Sequence, residues 1–239
     1  MKRILDFIEQ QKRELDDSPC LVFVRDRSVH PQKRLSFAPA MAPFVMGFAD
    51  INKYVLRDER SEDPLQKMIN THTEEDDHHF GMFLKDLRTL ELNDTMDFTH
   101  ALKLLWGDEC QTARKLIYEL AGMIASAEPK LRLVIVEAIE AAGNTGFLRF
   151  RECADEFHKL TGKPLYYFGD MHLGLESGHA MGTENVEVKL NQIELTPEQE
   201  KRGLELAHRV FRLFHDMSEG MMQYVRGRDA GVQAKAAAK

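Results

Sequence analysis

A chain of 239 residues with 43% hydrophobic and 30% charged side chains can bury a full core and is too apolar to be disordered. Its formal net charge of −7 argues against a phosphate-backbone partner, so no nucleic acid is expected. Only 15 glycines and 8 prolines argue against a turn-rich all-β fold, and no apolar run is long enough to span a membrane. The cysteines Cys20, Cys110 and Cys153 form no CxxC pair, so reduced thiols in a cytoplasmic protein are expected. The N-terminal stretch MKRILDFIEQQKREL is amphipathic and lacks the apolar core of a signal peptide.

The apolar period is helical almost throughout. Residues 2–16 repeat Ile4, Phe7 and Ile8 on one face, a short first helix. Residues 17–36, with Pro19 and Pro31, read as an irregular connection whose run Leu21 to Val24 is a strand or an apolar plug. Residues 38–57 read as a buried helix despite Pro39 and Pro43. Asp63-Pro64 opens a helix expected to run to about Leu90, with Pro64 suited to the first turn. Shorter helices are expected over 95–105 and 110–126. Pro129 opens a long one reaching about Leu160, and Thr161-Gly162-Lys163-Pro164 ends it. A helix follows over 165–181, then a polar, partly extended stretch over 183–195. Thr196 is the expected N-cap of a last helix reaching about Arg226. Its apolar face through Leu206, Val210, Leu213, Phe214 and Met217 either closes the bundle or pairs with a second copy as a homodimer. The expected fold class is all-α, one domain over 1–228 with seven to eight helices and a flexible tail over 229–239.

One segment, Thr71 to His79, concentrates chemistry-bearing residues. At 100° per residue, His72 and His79 are about 700° apart, close to two full turns, and Glu75 and Asp76 fall between them. The same face carries Leu65, Met68 and Ile69 before it and Phe83, Leu87 and Leu90 after it. These polar groups therefore face the core, where a charge is costly unless paired or bound to metal. Glu75 is the first choice of acid; Asp76, and His78 paired with Glu75, stay open. A second segment holds His172, Glu176 and His179 with the same inward spacing, beside Leu165, Phe168 and Leu175. On the long helix Glu140 is the one charge in the seam Leu133, Val136, Gly143, Phe147 and Phe150, with Glu137 in reserve. Imidazoles and carboxylates without thiolate favour iron or manganese over structural zinc. Phe44, Met46, Phe80, Phe83, Phe147 and Phe168 are candidate pocket walls.

The stretch from His172 to His179, preceded by Tyr166-Tyr167-Phe168-Gly169, resembles the third metal-binding helix of the heme-oxygenase-like di-iron oxidases. That family belongs to the heme-oxygenase-like and thiaminase-II-like fold superfamily. Glu140 resembles the family's upstream glutamate, and the segment from His72 to His79 resembles its first metal-binding helix. The family usually has Glu and His seven apart on that helix, where this chain has His72 and His79 with Glu75 nearby. The resemblance covers roughly residues 38–226 and implies a heme-oxygenase-like bundle. It also implies metal ligands His72, Glu75, His79, Glu140, His172, Glu176 and His179, holding two Fe(II) ions, with Mn as the alternative. The implied function is O2-dependent oxidation of a small, amino-acid- or fatty-acid-like metabolite. The competing expectations are a metal-free thiaminase-II-like enzyme using a cysteine nucleophile, with Cys110 and Cys153 available, and a non-catalytic binding or scaffold protein.

Overall fold

The computed structural model describes residues 1–93, 96–176 and 190–237, with the side chains of Glu75, Leu173, Leu175, Glu176 and 231–237 excepted. Among the described residues every regular element is helical. Eleven α-helices are present among the described residues: α1 (Lys2–Asp16), α2 (Pro19–Arg25), α3 (Pro31–Arg34), α4 (Ala38–Ile51), α5 (Pro64–Asp76), α6 (Phe80–Thr89), α7 (Phe98–Trp106), α8 (Gln111–Ala125), α9 (Pro129–Thr161), α10 (Asp170–Glu176) and α11 (Pro197–Ala237). The all-α expectation holds, and the larger helix number has two sources. Residues 17–36 fold into α2 and α3, each started by a proline that needs no amide partner in the first turn. The expected helix from 64 to 90 is broken at Asp77 into α5 and α6.

The 33-residue α9 is the axis of the bundle, packed against α1, α2, α3, α5, α8, α10 and α11. It starts at Pro129 and ends at Gly162, whose φ of 72° is open to glycine, and whose N–H donates to the His158 carbonyl. The start of α11 is a reciprocal cap: Thr196 N–H donates to Gln199 Oε1 at 2.9 Å and Gln199 N–H to Thr196 Oγ1 at 3.2 Å. Leu206, Val210, Leu213, Phe214 and Met217 of α11 are buried in the core shared with α9, so that face closes the bundle. The helix continues to Ala237, beyond the end that its apolar period suggests.

Hydrogen bonds at both ends set the wall that carries α5. Asp63 Oδ1 caps the helix by accepting the N–H of Leu65 at 2.7 Å. Buried Gln66 donates to the Leu56 carbonyl at 2.7 Å and accepts from Arg132 Nη1 of α9 at 3.1 Å. Leu56 ends a π-helical turn, Asn52–Leu56, that follows α4, so Gln66 ties three elements together. At the other end Arg57 donates to the Thr73 carbonyl and to Asp77 Oδ2, each at 2.8 Å. This clamp satisfies a carbonyl of the last turn of α5 and holds the chain where the helix stops. No helix among the described residues is long and apolar enough to cross a membrane.

Candidate metal centre

Two helices, α5 and α9, supply the first half of the centre. His72 and Asp76 stand one turn apart on α5, and Glu140 comes from α9. His72 Nε2 lies 3.2 Å from Asp76 Oδ2 and 3.2 Å from Glu140 Oε1. Ligand atoms from these three side chains lie within 4.8 Å of one another. His72 and Asp76 are buried and Glu140 nearly so. Two carboxylates taken out of water beside one another are costly unless a cation compensates them.

The second half comes from a turn and a short helix. His79 stands at the N-cap of α6, just past the helix break, and its Nδ1 lies 3.6 Å from Asp76 Oδ1. His172 on α10 brings Nε2 to 3.1 Å from the same Nδ1, with the two rings near-perpendicular at 81°. Asp76 thus faces both halves, one oxygen toward His72 and the other toward His79. The contacts run Glu140, His72, Asp76, His79, His172, with a carboxylate in the middle. Among the described residues His72, Asp76 and Glu140 form a cluster close enough to hold a metal ion, and His79 and His172 stand beside it.

Asp86 positions the second half. It is fully buried on α6, and its carboxylate accepts the N–H groups of Tyr166, Tyr167 and Phe168 at 2.7, 2.8 and 3.0 Å. Burial pushes its carboxyl pKa up, against the pull of those three donors. The turn it holds is tight: a Cβ at Gly169 would sit 2.2 Å from the Leu165 carbonyl oxygen. His172 N–H then donates to the Tyr166 carbonyl at 3.2 Å, which fixes the imidazole relative to that turn.

Apolar side chains close the site. Phe44 and Phe48 of α4, Phe80 of α6, Ile139 and Phe147 of α9, and Tyr167 surround a cavity of about 50 Å³ beside Asp76, His79, Glu140 and His172. Of the expected walls, Phe44, Phe80 and Phe147 line this cavity. Phe83 and Phe168 are buried in the core, and Met46 is 41% exposed.

Of the residues expected to converge, His72, His79, Glu140 and His172 do so, and Asp76 is the acid between them. The side chains of Glu75 and Glu176, and the whole of His179, lie outside the described residues. His78 is an exposed side chain beside Asp77, at the helix break. Sequence reasoning missed Asp86, although it too is a lone charge in an apolar seam, between Phe83 and Leu90. It also missed Tyr167 as a wall.

The cysteines do not offer a nucleophile. All three are buried, and desolvation pushes the thiols up, Cys110 to about 11, Cys153 to about 12, and Cys20 higher still. Such thiols carry almost no thiolate at neutral pH. Compared with protein-family models and with curated proteins, the chain matches none.

Proposed function

We propose that this chain is a non-heme, iron-dependent enzyme that uses O2 to oxidise a small metabolite, with a heme-oxygenase-like bundle holding two Fe(II) ions. The observation that carries the reading is the contact series of five inward donors centred on Asp76, enclosed by aromatic side chains. Two ferrous ions would supply the electrons that O2 reduction needs.

The chain's own residues do the rest. Asp76 and Glu140 offset the positive charge in a dry site, where an uncompensated ion would be costly. His72, His79 and His172 would hold the ions through their imidazole nitrogens. Phe44, Phe48, Phe80 and Phe147 exclude water, which protects reactive species from side reactions. Asp86 and Arg57 hold the turns that deliver His172 and His79.

Anaerobic titration with Fe(II), with Mn(II) as competitor, tests the reading. Two ions per chain are expected in the wild type, with O2 uptake after loading. Equal iron uptake by wild type, His72→Ala and Glu140→Ala would overturn it.

A further inference from the structure

The nine-residue α7 buries none of its residues. Helices this short are marginal in water and ordinarily owe their stability to an apolar face packed on a core. Here Leu104 touches the core, and polar contacts hold the ends. Asp97 caps the start, its Oδ1 accepting the His100 N–H at 2.9 Å. At the other end Arg114 of α8 donates to the Leu105 carbonyl and, at 2.9 Å, to the Gly107 carbonyl.

The side of α7 away from Leu104 is an apolar stripe. Phe98, Leu102 and Trp106 stand four apart, within an arc of about 80° at 100° per residue. Phe98 is 78% exposed and Trp106 65%, with Leu102 exposed between them. The stripe leads into a groove of about 320 Å³ where α4, α7 and α8 meet, whose walls include Met46, Leu105, Trp106, Ile117 and Tyr118. Met46 and Tyr118 are exposed as well. Phe98, Leu102, Trp106, Tyr118 and Met46 together offer about 600 Å² of surface, given the area that aromatic side chains can bury.

We infer that this face pairs with the same face of a second copy of the chain, the two α7 helices lying antiparallel about Leu102. The α11 face is taken up by the bundle, so self-association falls to α7. Antiparallel pairing puts Phe98 of each copy, about 6 Å from Leu102 along the axis, level with Trp106 of the other. The projecting Phe98 ring then enters the groove beside that Trp106. A ring of that size fits an apolar cavity of about 150 Å³, so the groove has room for it. One surface thus carries both a projecting ring and a groove to take one, and a twofold axis uses each of them twice. Two copies would cover about 1,200 Å² in total, which clears the roughly 1,000 Å² expected of a specific interface. An anionic lipid surface would instead have to accept a chain of net charge −7.

Sedimentation velocity at tens of micromolar tests the pairing, and the wild type should run at twice the chain mass. Trp106 is the sole tryptophan, so its emission reports on the interface directly. Dilution that halves the mass should shift the emission to the red and open the ring to acrylamide. Leu102→Glu sets two carboxylates face to face across the axis. It should raise the dissociation constant at least about 100-fold, with an unchanged far-UV CD spectrum. Leu102→Lys should act alike, and an equimolar mixture of the two variants should recover the dimer, because each Glu then meets a Lys. Leu160→Glu, which charges an exposed leucine near the end of α9, should stay dimeric. A monomeric wild type, a dimeric Leu102→Glu, a mixture that stays monomeric, a monomeric Leu160→Glu, or emission indifferent to dissociation would each overturn the pairing. A monomeric wild type with Trp106 shielded from acrylamide would overturn it too, and would mean that the chain covers α7 itself.

Discussion

The two halves of the candidate centre are built differently. His72 and Glu140 stand inside α5 and α9, where the helical ladder fixes each backbone, and Asp76 is the last residue of α5. His79 follows a helix break, and His172 sits on a seven-residue helix after a tight turn. The second half therefore owes its geometry to side chains that grip backbone, Arg57 on Thr73 and Asp86 on Tyr166 to Phe168. A helix-borne ligand moves only if a whole helix moves; a turn-borne ligand moves if one clamp is lost. Substitutions should therefore separate the halves.

The largest effect is expected at Asp76, the one acid that faces both. Asp76→Ala should lower Fe(II) affinity by more than about 100-fold, beyond the range for removing an outer-shell partner, and abolish uptake of both ions. His172→Ala should cost one ion and keep the other. Anaerobic iron titration distinguishes the two patterns, and one retained ion in Asp76→Ala would refute the shared role of that carboxylate. Stability should move less: taking a buried carboxylate away from the metal-free protein also removes its desolvation cost.

Asp86 sharpens the comparison because it touches no proposed ligand. Asp86→Ala leaves three buried backbone N–H groups without their acceptor, which should cost about 3 kcal/mol in urea denaturation. The loosened turn should weaken the ion held by His79 and His172 and spare the one held by His72 and Glu140. Asp86→Asn should fall between, since one amide oxygen can still accept. Equal weakening of both ions would mean that Asp86 supports the bundle as a whole.

The same division explains what could be read in the chain. Glu140 is legible because a regular helix lets spacing report direction: it is the charge in a seam of Leu133, Val136 and Phe147. His72 is legible for the same reason. Between His72 and His79 the angular argument assumes one continuous helix, but Arg57 ends α5 at Asp77. His79 does reach the cluster, yet by way of a turn, and Asp76 stands between the two imidazoles. The clamp is formed by a residue sixteen positions before Thr73, and no local pattern announces a pairing of that kind. Residues 17–36 show a related limit. Prolines and charges suggest an irregular connection, whereas burial of Cys20, Leu21 and Val24 against the bundle stabilises α2.

Away from the centre, an ion pair on the opposite side of α9 serves as a contrast. Arg149 grips Asp16 with both arms at 2.7 Å, and Arg25 adds a bond at 3.1 Å. The Arg149 hydrogen bonds hold the Asp16 carboxyl below its ordinary pKa. An acid whose folded pKa is lowered stabilises the fold above its unfolded value, near pH 3.9, and that contribution fades as pH falls through the folded value. Asp16→Asn should therefore cost about 1–2 kcal/mol at pH 7. The gap to wild type should close in strong acid, read as urea midpoints across a pH series. Iron uptake should be unchanged; a loss would show that the centre senses the whole bundle rather than its own clamps.

The smallest expected effect lies at the far end of the axis helix. Gly162 closes α9 in the left-handed region at φ 72°, donating its N–H to the His158 carbonyl at 2.8 Å. A Cβ at this position would meet no atom within 4 Å, so space is not the constraint; the backbone angle is. Gly162→Ala should cost about 1 kcal/mol and lower the melting temperature by about 2–4 °C, as fits a chain of this size. Gly162 lies 22 positions beyond Glu140, about 33 Å along the helix, so a frayed last turn leaves Glu140 inside an intact ladder. Both ions should bind as in the wild type. Asp86→Ala and Gly162→Ala each loosen a backbone segment at a helix end, but only the first segment leads into a ligand. If Gly162→Ala weakened the ion at His79 and His172 as Asp86→Ala does, α9 would be transmitting strain along its length, and local clamps would no longer explain the second half of the centre.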